Sequence, residues 1–578
     1  MKFIVSCFAL SVLWLQGMAQ SITVSVKVDA ATVGYRVNDD FVGFSLEQKT
    51  LTTDGGGGST LGNFYVASAT ALTRFRNILT NISPSSIIRV GGNTSDQMSW
   101  TASARGSSTD VNKLFTSDID KLFGFLPTVG NGWKSIYTIN FAKDSANYAG
   151  NAVVEAASEA SYVYSTYGGL VKSISIGNEP MAYVVNNYRN PYNPTLYVAN
   201  YLPVFDAIKS ANSAIPVSGG DIGRRTEYNT WNGGYLQKMN NVPSTSPFRP
   251  IDSFNIHAYP FRADELTGTP EQSIDALLSS LSPNSTFQTH LSYLAMLAAS
   301  YSAPLRLSET NTIAGGTVAT VSNSFATAIW ALDYLYTLAN YKAEGANFHS
   351  GGNSASYAPI YRVSTANGVY AIGAIYYGLL AFTDGARNQR MLTVTPPNSA
   401  TNPRASYYAT TSDDGKTVKI TIINKDFTNG INAGVSVPGI NINTASYQVL
   451  RPQTNMYDVA TATYYANAQV ATDGSFTKGT AVPLAVTNAT GFSVPVAPMT
   501  AVVVTLTTDA PPLYTVKTGS WTDASIWSQN RLPTALDVVV LKHTVSIPAS
   551  AVVQARRVVY NAANQLQQGR GAQLKLGL

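Results

Sequence analysis

Short apolar runs recur along the first two thirds of the chain, each opened or closed by Gly, Pro or Ser. Eight of them read as strands: 42–47, 86–92, 135–142, 171–178, 215–220, 253–259, 304–309 and 345–349. The stretches between them have room for helices. Residues 145–167 are rich in Ala, 196–211 and 274–281 are amphipathic, and 322–341 form a long apolar helix candidate. Repeated alternation of strand and helix predicts an α/β fold, a (β/α)8 barrel. An open α/β sheet would give a similar pattern. Polar residues at the C-terminal ends of many of these strands favour the barrel, because that face carries a barrel's chemistry.

Beyond about residue 388 the helical period disappears. Alternating runs at 407–410, 417–423, 446–450 and 501–507 predict a β-sandwich, to which the alternating run 21–28 would add a strand. Pro511 and Pro512 mark a junction, and the remaining residues read as a small β-module. The expected organisation is a leader at 1–19, an N-terminal strand region at 20–40, a barrel at 41–387, a β-sandwich at 388–508 and the module at 509–578. No repeat of 20–50 residues is visible in the sequence.

Composition narrows the class. Only 12% of residues are charged and 45% are hydrophobic, so the chain can bury a large core and is not disordered overall. The net charge of +5 is small for 578 residues, and Lys and Arg form no dense run. A nucleic-acid partner is therefore not expected. Lys2, the apolar stretch Phe3 to Leu15 and the small residues Gly17 and Ala19 read as a secretory signal peptide, too short to span a membrane. This predicts a secreted, periplasmic or cell-surface protein without a membrane span. The single cysteine, Cys7, lies within that peptide, so no disulfide, cysteine metal site or cysteine nucleophile is expected in the mature chain.

Two glutamates stand out by position. Glu179, in Ile176-Gly177-Asn178-Glu179-Pro180, follows the fourth strand, and Glu309, in Leu307-Ser308-Glu309-Thr310-Asn311, ends the seventh. In a barrel both would project over one mouth. Glycoside hydrolysis needs such a pair, one carboxyl to protonate the leaving oxygen and the other to attack the anomeric carbon or activate water. Asn178 could then bond a sugar 2-hydroxyl. Glu47, Asn93 and Asp96, after strands one and two, could hold further hydroxyls. His257 and Tyr259 follow strand six, where a tyrosine could orient the nucleophile. His349 ends strand eight and reads as a satisfied structural histidine. No His/Asp/Glu spacing calls for a metal, no cofactor is expected, and no G-x-S-x-G elbow is present.

These motifs resemble the large clan of retaining (β/α)8 glycoside hydrolases. Within it the chain is most similar to glycoside hydrolase family 79, the β-glucuronidase and heparanase-like group. The supporting segments are Phe41 to Glu47, Arg89-Val90-Gly91-Gly92-Asn93-Thr94-Ser95-Asp96, Ser175 to Pro180, Ser308 to Asn311 and Tyr376-Tyr377-Gly378-Leu379-Leu380. The resemblance covers roughly residues 30–507. It implies Glu179 as acid/base, Glu309 as nucleophile and retention of configuration. It also implies that the uronic acid carboxylate meets backbone N–H groups, here at Gly315 and Gly316, and tyrosines, here Tyr357. The expected partner is a glucuronic-acid-containing glycan, cut by an exo-β-glucuronidase, with an endo-acting enzyme or a non-catalytic glycan-binding surface protein as alternatives. The tail, with Gly519-Ser520-Trp521, Trp527, Pro533 and Asp537, resembles a module of secreted Bacteroidetes-type proteins, departing from it at Leu541. Trp521 and Trp527 read as its core.

Overall fold

A closed parallel barrel organises the computed structural model, which describes residues 21–52, 68–142, 151–223, 231, 251–351, 356–363, 370–397, 404–413, 415–438, 440–509, 513–533, 537–555, 557–563 and 565–576. The eight apolar runs form its strands: Val42–Glu47, Ile87–Gly91, Lys134–Ile139, Val171–Ile176, Val217–Ile222, Ser253–Ala258, Leu305–Thr310 and Gly345–His349. Each pairs in parallel with the next, and the eighth pairs with the first. That closing pair rules out an open sheet. Both faces of these strands are buried, yet apolar and polar residues alternate along them: every residue of Val42–Glu47 and Ser253–Ala258 is buried, with Phe44, Leu46, Phe254 and Ile256 on one face and Ser45, Glu47, Asn255 and His257 on the other.

Helices pack around the barrel where local chemistry starts them. Ser68 caps Ala69–Ile82 by accepting from the Ala71 N–H, and Asn193 does the same for Pro194–Ala211 at Leu196. Thr269 and Gln272 form a capping box for Pro270–Ser279. Phe325–Asn340 is buried on almost every face. The helix expected at 145–167 runs Asn151–Tyr167, and 145–150 lie outside the described residues. The leader at 1–19 and the Pro511–Pro512 junction lie outside them too. No helix among the described residues is long and apolar enough to cross a membrane.

The fifth strand sits two residues further along than the sequence suggests. It runs Val217–Ile222, with a register shift between Gly220 and Ile222 and positive φ at Gly220 (100°) and Asp221 (40°). This irregularity keeps Asp221 inside the barrel, wholly buried.

An eleven-stranded sheet follows the barrel. The long strand Ser21–Arg36 joins it, parallel to Gly430–Ser436 and antiparallel to Arg390–Thr395, with two register shifts that bend it. The bent sheet folds over its own core. Val24, Val26 and Val28 pack there with Val418, Ile420 and Ile422, Ile431 and Val435, Phe492 and Val494, and Val502 and Val504. Alternation gives the opposite face of two strands, Thr417–Asn424 and Thr500–Thr508, to the barrel core through Ile423, Ala501 and Val503.

The tail has a core of its own around Trp521 and Trp527. Its strands stack in parallel: Leu513–Tyr514 on Val538–Leu541 and then Arg557–Tyr560, Gly519–Ser520 on Val545–Ile547 and then Leu566–Gln568, and Val552–Ala555 on Gln573–Leu576. Successive turns of chain thus lie on one another as coils of a parallel β-solenoid. The coils repeat in structure without repeating in sequence. The coils share only inward-facing apolar positions on very short strands, too little for sequence self-similarity.

Candidate active site

The cleft lies at the C-terminal ends of the barrel strands, a cavity of about 530 Å³ whose lining includes Glu47, Asn93, Glu179, His257, Tyr259, Arg262, Glu309, Gly315, His349 and Tyr357. Glu179 reaches it through an unusual backbone. Gly177 (φ 75°) and Glu179 (φ 46°) are both left-handed, and the Glu179 N–H bonds the Asp221 carbonyl at 3.1 Å. A Cβ at Gly177 would stand 2.5 Å from Phe141 Cβ. Glycine is needed there, and strain at a non-glycine residue such as Glu179 marks functional positions. Glu309 comes from the end of Leu305–Thr310, just past a register shift that follows Leu307 in the pairing with both neighbouring strands. Glu179, His257 and Glu309 each bring one atom within 4.8 Å of the others. Both His257 ring nitrogens face carboxylates, Glu179 Oε1 at 3.0 Å and Asp221 Oδ1 at 3.1 Å, so neither is free for an ion.

Glu309 is held by two opposed donors. Tyr259 donates to Oε1 at 2.9 Å, and the buried Arg89 donates to Oε2 at 2.7 Å. Burial alone would raise its carboxyl; the charges of His349, His257 and Arg89, with the Tyr259 hydrogen bond, reverse this and hold it well below the usual carboxylate range. Glu309 is therefore ionised at neutral pH. Burial and the Glu309 charge push Tyr259 far above its ordinary value, so it stays a donor. Glu179 is the more open carboxyl, its side chain 25% exposed against 12% for Glu309.

Glu47 accepts from the Thr94 N–H (2.9 Å) and hydroxyl (2.6 Å) through Oε2 and turns Oε1 toward His349 Nε2, 3.9 Å away. Tyr357 stands against the Tyr259 and His349 rings. Gly315 (φ 71°) follows a two-residue parallel ribbon in which Phe261–Arg262 pairs with Ile313–Ala314.

Three expected contacts lie elsewhere. Asp96 does not line the cavity: its carboxylate accepts from the N–H groups of Phe141, Ala142 and Asn178 and from the Tyr183 hydroxyl, and burial raises it to about 6 against those bonds. It is a buried brace for the loop carrying Glu179. Asn178 is also buried; its amide joins Arg89 (2.7 Å) to Asn93 (3.2 Å) instead of lining the cavity. Gly316 stands outside the lining, beside Ala263.

Three residues escaped the sequence reading. Arg89 was visible as a charge inside the apolar run Ile87-Ile88-Arg89-Val90, where only a paired cation is stable. Asp221 follows Gly219-Gly220, just past the point where the strand seemed to stop. His349 is not a satisfied structural histidine. It lines the cavity, its Nδ1 lies 3.6 Å from Glu309 Oε2, and that nitrogen makes no hydrogen bond.

Neither a family model nor a curated protein matches the chain. Solved structures do match its fold. A 4-O-α-L-rhamnosyl-β-D-glucuronidase from Fusarium oxysporum superposes with a TM-score of 0.61 at 16% identity, covering 84% of this chain and 100% of that one. A family 51 arabinofuranosidase from Xanthomonas axonopodis gives 0.61 at 15% identity over the same shares. A family 44 xyloglucanase from Paenibacillus polymyxa gives 0.56 at 14%, covering 85% and 100%. These structural neighbours are glycoside hydrolases, and the likeness establishes a (β/α)8 barrel followed by a β-rich domain.

Proposed function

We propose that this chain is a secreted retaining exo-β-glucuronidase, releasing terminal glucuronic acid or its 4-O-methyl form from glycans by double displacement. The observation that carries this reading is the approach of Glu179 and Glu309, with carboxylate oxygens within 4.8 Å. Retaining enzymes hold their carboxyls about 5–5.5 Å apart, whereas inverting ones leave about 6.5–9.5 Å for a water. Glu309 attacks the anomeric carbon as the ionised nucleophile, kept in place by Tyr259 and Arg89. Glu179 protonates the leaving oxygen, then takes a proton from the water that hydrolyses the glycosyl ester.

The choice of sugar rests on sequence motifs. The family 79 resemblance, the backbone at Gly315 and the neighbouring Tyr357 support a uronate, and the fold likeness to the Fusarium glucuronidase makes a glucuronide the first substrate to try. The leader read at 1–19 supports export.

Hydrolysis of nitrophenyl β-glucuronide, β-glucoside and β-galactoside tests the reading, with wild type and Glu309→Gln compared. Preference for the glucuronide, loss in the mutant and a β-configured first product are expected. A neutral sugar preferred would keep the mechanism and remove the glucuronidase assignment. An α-configured first product would overturn retention. Release of oligosaccharides from a polymer, without monosaccharide, would replace exo by endo action.

A further inference from the structure

Asp221 is wholly buried beneath the cleft, yet four barrel strands converge on its carboxylate. Ser308 donates to Oδ1 at 2.5 Å from the seventh strand, and Ser175 donates to Oδ2 from the fourth. His257 Nε2 meets Oδ1 at 3.1 Å from the sixth, and the Arg89 guanidinium lies 3.6 Å away from the second. Burial would raise this carboxyl, but the His257 and serine hydrogen bonds and the Arg89 charge hold it far below the ordinary range. Asp221 is therefore a permanent anion.

That fixes the imidazole. An ionised carboxylate has only acceptors, so the nitrogen facing it, Nε2, must carry hydrogen. The other nitrogen, Nδ1, lies 3.0 Å from Glu179 Oε1. Two arrangements satisfy this contact. A neutral imidazole accepts from the Glu179 carboxyl O–H, or an imidazolium donates to the Glu179 carboxylate. They differ only in the position of one proton.

We propose that Asp221, His257 and Glu179 form a proton relay, in which Asp221 is the positioning residue and His257 Nδ1 and Glu179 share the catalytic proton. This rests on the reading of Glu179 as acid/base. The charged groups facing His257 are Glu179, Asp221, Glu309 and Arg89. Burial and Arg89 disfavour the imidazolium, but Glu309, Asp221 and Glu179 outweigh them and raise His257 to about 9. The shared proton lies on the 3.0 Å contact between Nδ1 and Glu179 Oε1. In the first half-reaction it moves to Glu179 and on to the glycosidic oxygen. The C1–O bond breaks with its electron pair going to that oxygen, while Glu309 bonds C1. In the second half water bonds C1, the ester electron pair returns to Glu309, and the water proton passes through Glu179 back to Nδ1. The pair, and not Glu179 alone, then sets the pH profile. Asp221 also fixes the acid/base backbone, since its carbonyl accepts the Glu179 N–H.

Two measurements test the relay. Asp221→Asn removes the anion while keeping an acceptor. Its kcat/KM should fall about 100-fold on a phenyl glycoside, yet stay within about threefold on the dinitrophenyl glycoside, whose leaving group needs no acid. The basic limb of its pH profile should move down by about one unit. Equal losses on both substrates with an unmoved profile would reduce Asp221 to a structural role. The second measurement needs no variant to fold. The chain has four histidines, so ¹⁵N-histidine spectra of the wild-type protein are readable. His257 should keep Nε2–H throughout, with only Nδ1 titrating; a bare Nε2 at neutral pH would overturn the relay. Should the wild type hydrolyse no glycoside, the functional reading falls and the spectra alone decide whether the His257 proton is placed as argued.

Discussion

Arg89 and Glu309 face one another across the barrel mouth, with 2.7 Å between Nη1 and Oε2 and no solvent access to the guanidinium. The same side chain donates to Ser45 Oγ at 3.1 Å and to Asn178 Oδ1 at 2.7 Å. It therefore ties the first, second and seventh strands to the loop that bears Glu179. Breaking a buried pair leaves an uncompensated charge, at a cost of about 3–5 kcal/mol. Arg89→Met is expected to lower unfolding free energy by that order in chemical denaturation and to abolish turnover.

Tyr259→Phe removes one donor from Glu309 and leaves the ring in place. A hydrogen bond to a charged group is worth about 1.5–3 kcal/mol, so kcat should fall about 10- to 150-fold. Thermal unfolding should change little, since the ring contact with Tyr357 persists. An unchanged kcat would remove Tyr259 from the machinery.

Gly223 lines the cavity, and a Cβ there would stand 2.5 Å from Glu179 Oε1 and 2.9 Å from Met181 Cε. Gly223→Ala must push the Glu179 carboxyl out of place. Turnover should drop most for substrates with poor leaving groups, while the melting temperature stays close to wild type. Parallel kinetics on phenyl and dinitrophenyl glycosides check this.

Stability should fall in alkali for an identifiable reason. His257 is raised from 6.5 to about 9 in the folded protein, by carboxylates that outweigh burial. A group raised on folding stabilises fully below its unfolded value and loses that contribution as pH rises through its folded value. Unfolding free energy should therefore decline between pH about 6.5 and about 9, by about 3 kcal/mol at most. Urea titrations across this window check it, and His257→Gln should flatten the slope.

The solenoid core shares no residue with the other two cores. A chain cut after Asp509 should keep full activity and the main calorimetric transition, losing only a separate smaller one. Loss of activity would mean that the tail supports the barrel.

All eight barrel strands were legible as short, Gly-, Pro- or Ser-bounded runs whose apolar residues recur at alternate positions, even though the barrel also buries the polar residues between them. Helices Ala69–Ile82 and Thr116–Val129 were passed over although each carries an apolar stripe at helical spacing, Ala71, Phe75, Ile78, Leu79 and Ile82 in the first and Ile119, Leu122, Phe123, Leu126 and Val129 in the second. Glu179 and Glu309 were visible because each closes a strand in a distinctive motif. Asp221 was hidden because a double glycine imitates a strand end while the chain makes a bulge. Asp96 misled for the opposite reason: an acidic residue just beyond a strand looks like a cleft lining, and only the fold shows four donors around it.

Strands that give one face to the barrel and the other to the core of the β-rich domain, Thr417–Asn424 and Thr500–Thr508 among them, have a consequence for how such a protein can be recombined. They are a party wall. A substitution on either face is judged by the core behind it, and a sandwich grafted from elsewhere would arrive with the wrong outer surface. Barrel and β-rich domain should therefore be exchanged only as one piece, while the solenoid, with its own interior, can be exchanged alone.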